Sequence, residues 1–290
     1  MRILFPAHPL DARKPDKDFA PEVAAAKKAG FETALLSDDF QIRPSSETSL
    51  YRGWMLRPEQ YAQLAQITPL ITNPVAYQTT HLLPNWFPLL QNHTPASLWF
   101  PENGRLKTQE DPLGLNDVVD AAHAFDGRPI IVKDYVKSRK HEWTDACFIR
   151  DSLDDVEIRR VVGNFLERQG TDLVGDLVLR EFVPLKKLGV HAKSKMPLSN
   201  EWRLFFWQGR LLVASTYWSD EDTTEPTGTQ REVFEVNMSW VENIQSPFFT
   251  VDVAQKEDGS WIIIELGDGG VSGLQGIDPE LFYQTLATAQ

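Results

Sequence analysis

Near the C-terminus two apolar, strand-like runs, Thr250–Gln255 and Trp261–Glu265, flank the segment Lys-Glu-Asp-Gly-Ser. Asp258-Gly259 is a favoured pair for a two-residue type I′ turn, so the runs are predicted to form an antiparallel hairpin. Counting outward from Glu257 opposite Ser260 sets Asp252 directly across from Glu265, two carboxylates roughly 5 Å apart on one face. Like charges so placed weaken a sheet and ask for a cation, a shared proton or an arginine. A divalent metal held by both is the economical answer; a solvent-facing pair on an edge hairpin, or a one-residue slip, is the structural alternative. Val251 and Val253 flank Asp252, and three isoleucines precede Glu265, which makes the surroundings apolar. The run Leu266-Gly267-Asp268-Gly269-Gly270-Val271-Ser272-Gly273 follows. Its glycines permit close backbone approach and N–H groups aimed at an anion, and Asp268 is placed to join a metal shell.

A second hairpin is expected over Glu201–Tyr217, turning at Gln208-Gly209. With that centre, Glu201, Arg203, Phe205 and Trp207 share one face, and a guanidinium among aromatic rings must find an anion. Two partners are open to Arg203: Glu201 on its own strand, or a phosphate. Lys133 closes the apolar strand Ile130-Ile131-Val132, where a lysine either snorkels to the surface or reaches an anion. The loop behind it, with Lys137, Arg139 and Lys140, is predicted to act as a flap. Arg180-Glu181-Phe182-Val183 ends another apolar strand and runs into Pro184, as a hinge would.

Ahead of these segments the chain alternates strand and helix: Arg2–Phe5, Pro21–Gly30, Phe31–Leu36, Tyr51–Leu56, Pro58–Gln66 and Pro69–Thr72, with helical turns over Val75–Gln91. That order predicts a parallel α/β sheet. A Pro/Gly/Asn-rich connection over Ala96–Asp117 marks the seam, which places an α/β domain at 1–115 and a second domain at 116–290, itself divided near 183/184. Beyond the seam, a helix over Leu153–Gln169 capped by Ser152 precedes mixed or antiparallel strands. Two polar loops are expected, a basic one at Lys186–Lys195 and an acidic one at Ser219–Glu232.

Lys and Arg number 29 against 41 Asp and Glu, a net charge of −12, so bulk nucleic acid is not an expected partner. The single cysteine, Cys147, and an N-terminal run broken by Pro6 and Pro9 point to a reducing, cytoplasmic location without a signal peptide. No run approaches the ~18 consecutive apolar residues of a membrane helix. A Ser/His/Asp or Cys/His constellation is absent; His8 and His191 are scattered candidates for substrate contact.

Taken together, a strand lysine, a flexible loop, Leu179-Arg180-Glu181-Phe182-Val183, Glu201-Trp202-Arg203 and Glu265-Leu266-Gly267-Asp268-Gly269, with Tyr51-Arg52-Gly53-Trp54 upstream, resemble the divergent ATP-grasp clade that includes the eukaryotic assembly factor for translation initiation factor 2. The resemblance implies a Rossmann-like pre-ATP-grasp domain followed by an ATP-grasp fold with mixed or antiparallel sheets, and ATP and Mg²⁺ as cofactors. It implies that Lys133 contacts the α- and β-phosphates, with Lys137 and Lys193 nearby on loops. Arg180, Glu181, Phe182 and Val183 would line the nucleotide, the last three at the adenine edge. Arg203 would hold the γ-phosphate, and Asp252 and Glu265, with Asp268, would ligate metal. Arg52 would meet a substrate carboxylate, with a structural salt bridge as the other reading. The departure is Gly267 where many relatives carry Asn. The implied activity is ATP-dependent joining of a small-molecule, peptide or protein carboxylate to an amine; the alternative is a non-catalytic ATP-binding assembly module.

Overall fold

The computed structural model describes residues 1–191, 196–218 and 238–289. The apolar strand Arg2–His8 runs between Glu32–Leu36 and Ser49–Tyr51, parallel to both. Helix Ala20–Lys28 makes the crossover and ends before Gly30, whose φ of +92° is the left-handed conformation that stops a helix. An unexpected strand, Asp11–Pro15, folds back antiparallel on the first. The strand expected at Tyr51–Leu56 lies earlier, at Ser49–Tyr51. It ends because Gly53 turns away, donating its N–H to Gly270 rather than to a sheet neighbour. Pro69–Thr72 contributes only a bridge from Leu70 to Ser49.

A second sheet has the order Ser97–Trp99, Val178–Glu181, Ile130–Lys133, Phe148–Ile149, with every pairing antiparallel. Its first strand lies inside the connection expected to be irregular. Helices Leu115–His123 and Asp155–Gln169 back this sheet and share its core with Val132 and Leu179. The cap of the longer helix is Asp154, which accepts from Val156 and Glu157 N–H groups; Ser152 is buried and its hydroxyl has no partner. A carboxylate outdoes a hydroxyl there because it accepts both amides at the positive end of the dipole.

The third sheet, Arg210–Thr216, Glu201–Trp207, Phe248–Gln255 and Trp261–Asp268, is antiparallel throughout. One face, with Trp202, Leu204, Phe206, Val251, Val253, Ile263 and Leu266, is core. The opposite face is divided. At one end Phe205, Trp207 and Phe248 pack on Ile3, Phe5 and the closing helix Pro279–Thr288. At the other end the same rows carry Arg203, Asp252 and Glu265. The acidic loop expected at Ser219–Glu232 lies outside the described residues. The basic one does so only over 192–195; Lys187–Val190 pairs with Pro197–Ser199.

The last hairpin brings Asp252 opposite Glu265 by a different route from the expected turn. Its loop has three residues, Glu257 to Gly259, closed by Lys256 N–H to Ser260 O at 2.7 Å, with Gly259 at φ +86°. That shifts the register by one residue. A bulge between Val253↔Ile263 and Asp252↔Glu265 shifts it back, with Ile264 as the extra residue. The two departures cancel. The bulge also lets Ile263 and Leu266 both reach the core while Ile264 and Glu265 both leave it.

Candidate active site

Cross-strand register sets Arg203 beside Asp252 and Asp252 beside Glu265. The Arg203 guanidinium donates through Nε (2.8 Å) and Nη2 (2.7 Å) to the two oxygens of Asp252, and through Nη1 to the Gly273 carbonyl (3.1 Å). Lys133, reaching from the second sheet, donates from Nζ to Glu265 Oε1 at 2.7 Å. Both carboxylates are thus neutralised by cations. Burial opposes the charge on Arg203, but Asp252 more than offsets it and holds the guanidinium above its ordinary pKa. Burial likewise opposes the Glu265 carboxylate, and Lys133 and Lys140 together pull its pKa below the usual value. Arg203, Asp252 and Glu265 border a cavity of about 80 Å³.

Next to these charges lies an apolar cavity of about 240 Å³, walled by Trp143, Phe182, Met196, Leu198 and Ile264. Trp143 stacks on Phe148 (centroids 5.1 Å, planes 13° apart) and meets the edge of Phe182. Glu201 and Lys140 stand in its wall. Lys140 Nζ lies 5.2 Å from the Tyr217 ring centroid, and the Arg203 guanidinium lies 5.1 Å from the same ring. Tyr217 therefore joins the apolar cavity to the charged one. Tyr217 is the first cause of a raised Lys140 pKa; Glu201, Glu265 and Asp252 act in the same direction against burial.

Several expected residues stand elsewhere. Lys137, expected at phosphates, is exposed and borders a third cavity, while Lys140 takes the inward position. The cause is Asp134, buried directly after Lys133. Its Oδ1 accepts from the Val136 and Lys137 N–H groups and its Oδ2 from Gln169 and Val174, which folds the loop so that Lys137 turns out. Arg180 is buried and makes no ion pair among the described residues. It donates to Thr94 Oγ1 (2.6 Å) beside Trp86, and burial lowers its pKa to about 10. Glu181 turns its carboxylate to Arg128, and the Phe182 N–H is taken by the Pro129 carbonyl. Both residues, with Val183, still border the apolar cavity. Lys193 lies outside the described residues. His8 is spent on the Leu10 N–H, and His191 packs against His141.

Arg52 does not face a substrate. It is 1% exposed, grips both Glu22 oxygens at 2.8 Å, and donates Nη1 to the Gly269 and Ser272 carbonyls. The structural reading of this arginine is the one realised, and its work is to anchor the glycine-rich loop. Close approach explains the glycines too, but to protein rather than to an anion: a Cβ on Gly270 would lie 2.5 Å from the Tyr51 carbonyl oxygen. Asp268 lines the charged cavity with Asp252 and Glu265, although no group of three side chains placed to hold a metal is found among the described residues. Its Oδ1 accepts from Gly270, its Oδ2 has no partner, and burial raises its pKa to about 7. His81, overlooked in the sequence, is buried between the charged and third cavities. Its spacing of four from Tyr77, on which it stacks at 4.8 Å, was the available signal.

A family model described as "ATP-grasp domain, R2K clade family 3" matches residues 124–286, more than half of the chain. The chain belongs to this ATP-grasp family. No curated protein matches the sequence. Among solved structures, D-cycloserine synthetase DcsG superposes with a TM-score of 0.61 at 14% identity, covering 100% of this chain and 99% of that one. A RimK domain ATP-grasp protein from Sphaerobacter thermophilus DSM 20745 gives 0.59 at 14%, with coverages of 99% and 98%. The ATP-grasp ligase PsnB, in complex with minimal precursor, Mg and ADP, gives 0.53 at 13%, with coverages of 99% and 96%. At these identities the likeness is one of fold: this ATP-grasp protein has the mixed α/β, antiparallel-sheet architecture of the three. Among its described residues no helix is long and apolar enough to cross a membrane.

Proposed function

We propose that this ATP-grasp protein is an ATP- and magnesium-dependent ligase that joins a carboxylate to an amine through an acylphosphate. The observation that carries the reading is one sheet face on which Arg203, Asp252 and Glu265 meet Lys133, at the end of an apolar, aromatic-walled cavity. The apolar cavity suits a base, and the basic groups beyond it suit a triphosphate. Arg180, buried without an anion, is a further group that such a ligand would satisfy.

The donor set fits magnesium, since Asp252 and Glu265 offer adjacent oxygens on neighbouring strands. Magnesium held there by these two residues would neutralise phosphate charge. Lys133 and Arg203 are then free to exchange their carboxylate partners for phosphate oxygens, with no net loss of charge pairing. Lys140, on the Tyr217 ring, supplies a third cation between base and phosphates. In the reaction, a carboxylate oxygen of the substrate attacks the γ-phosphorus, the bond to the β,γ-bridging oxygen breaks, and ADP leaves. The amine nitrogen then attacks the acyl carbon; a C–N bond forms, the C–O bond to phosphate breaks, and the nitrogen loses a proton. Residues 1–115 supply a wall of the acceptor side in this reading, and 116–290 the nucleotide side. D-cycloserine synthetase and the ligase PsnB, the latter seen with Mg and ADP, are relatives of this fold whose names agree with it.

Calorimetric titration with Mg–ATP tests the site. Lys133→Ala and Asp252→Asn are each expected to weaken binding at least about tenfold, as for a lost charge-assisted contact, while circular dichroism stays native. Unchanged affinity in both removes the assignment. ADP release that requires both an acid and an amine confirms ligation; nucleotide binding without it leaves the non-catalytic module instead.

A further inference from the structure

We propose that the free edge of strand Glu32–Leu36, in the N-terminal sheet, is a docking site for an extended acidic segment of a partner protein, which adds to the sheet as a further strand. The site stands apart from the charged and apolar cavities and does not depend on the nucleotide reading.

The backbone bonds of the first strand fix which groups are free. The Leu4 carbonyl accepts from the Arg52 N–H, and the Arg2 N–H donates to Thr48, so Arg2 and Leu4 turn their backbone groups to Ser49–Tyr51. Ile3 and Phe5, pointing the other way, bond to Glu32–Leu36. With Ile3 in register with Thr33, the inward groups of that strand belong to Glu32, Ala34 and Leu36, and those of Thr33 and Leu35 point out. No other strand pairs there, and among the described residues neither Thr33 nor Leu35 has a backbone partner on that side. Two N–H and two C=O groups thus stand in a row, the template to which a strand adds.

A cavity of about 570 Å³ follows this edge. The side chains of Thr33 and Leu35 point to one face of the sheet and that of Ala34 to the other, so a cavity bordered by all three runs along the backbone between the faces. Arg13, from strand Asp11–Pro15, and Arg43, from the loop after Leu36, are the charged residues that border it, in a chain of net charge −12. Asp38 and Asp39 of the same loop do not border it. Arg43 has no ion pair among the described residues. Arg13 pairs only with Asp11, two residues away, and its side chain is 91% exposed, so water leaves that pair weak and exchangeable. Two such cations beside four unpaired backbone groups describe an extended chain carrying carboxylates.

The test is amide exchange by NMR on the full chain, with a pool of heptapeptides as probe, glutamate at alternate positions and valine, isoleucine or threonine between. The pool should slow exchange at the Thr33 and Leu35 N–H groups at least about fivefold, and a matching pool with lysine for glutamate should not. Arg13→Glu combined with Arg43→Glu, both at exposed side chains, should weaken the tightest peptide about tenfold, as for two lost surface ion pairs, with Mg–ATP affinity unchanged. No slowing by any peptide, or equal slowing by the lysine pool, overturns the inference; the two arginines then only guard the edge against pairing. Slowing that needs no peptide and grows with protein concentration makes the occupant a second copy of the chain, and overturns it too.

Discussion

Arg52, just past the strand Ser49–Tyr51, and Arg203, within the strand Glu201–Trp207, each grip a carboxylate with two nitrogens, the first buried and the second partly buried. Around Arg52 the bonding is closed: Glu22 is also held by the Tyr283 hydroxyl at 2.7 Å, and the remaining guanidinium donors reach two loop carbonyls. Arg203 shares its surroundings with a cavity, a tyrosine ring and a second carboxylate. The difference teaches that burial and ion pairing do not by themselves mark a functional charge. A saturated pair is part of the framework, whereas a pair beside a cavity can trade partners with a ligand at little cost.

The largest expected effect comes from breaking the closed network. Arg52→Met should cost about 3–5 kcal/mol of stability by denaturant titration, because Glu22 is left charged and buried. Arg203→Met should cost much less, about 1–2 kcal/mol, since Asp252 borders a cavity that water can enter, yet it should weaken Mg–ATP binding at least about a hundredfold. Equal stability losses would erase the distinction between the two arginines.

Asp268 extends the comparison to titration. Its folded pKa, about 7, lies above the unfolded value of an aspartate, so the folded state holds the extra proton. Its contribution is fully present below about pH 4 and is lost as pH rises through 7. Asp268→Asn, which cannot ionise, should therefore match the wild type near pH 4 and exceed it at pH 8 by a few kcal/mol, on the order of 1.4 per pKa unit. His81 runs the opposite way: with a folded pKa of about 4, its contribution is present above pH 6.5 and fades as pH falls toward 4. Urea titrations of wild type, Asp268→Asn and His81→Phe across pH 4–8 separate the two slopes, and parallel curves for wild type and Asp268→Asn would refute the first.

The two loop lysines give a smaller contrast. Lys140→Ala should weaken Mg–ATP binding about tenfold by calorimetry, and Lys137→Ala by less than about twofold, because only Lys140 shares the Tyr217 ring with Arg203. Smallest is Gly259→Ala, expected to cost about 1 kcal/mol through its left-handed backbone, with nucleotide affinity retained if the bulge at Ile264, rather than the turn, holds Glu265 in place.

Much of the acidic and basic inventory was readable because strand alternation is local: Arg203 shares a face with Phe205 and Trp207, and Asp252 meets Glu265 in both the count and the structure. The agreement at Glu265 is nevertheless a cancellation of a longer turn against a bulge, neither of which has a signature in the run of isoleucines. The flap shows the other limit. Lys137 and Lys140 are equivalent in composition, and only the bonds from Asp134 to amides on two segments decide which one turns inward.

Period-two alternation, glycine turns and an apolar strand ending in lysine determined by themselves which residue types would line one sheet face, since each depends on neighbours a few positions away. Which buried cation is framework and which faces a cavity was decided only by tertiary packing. Arg52 is closed off by Glu22, Tyr283 and the loop at 269–272, partners from 30 to more than 200 residues distant, and a charge's role depends on how completely such partners satisfy it.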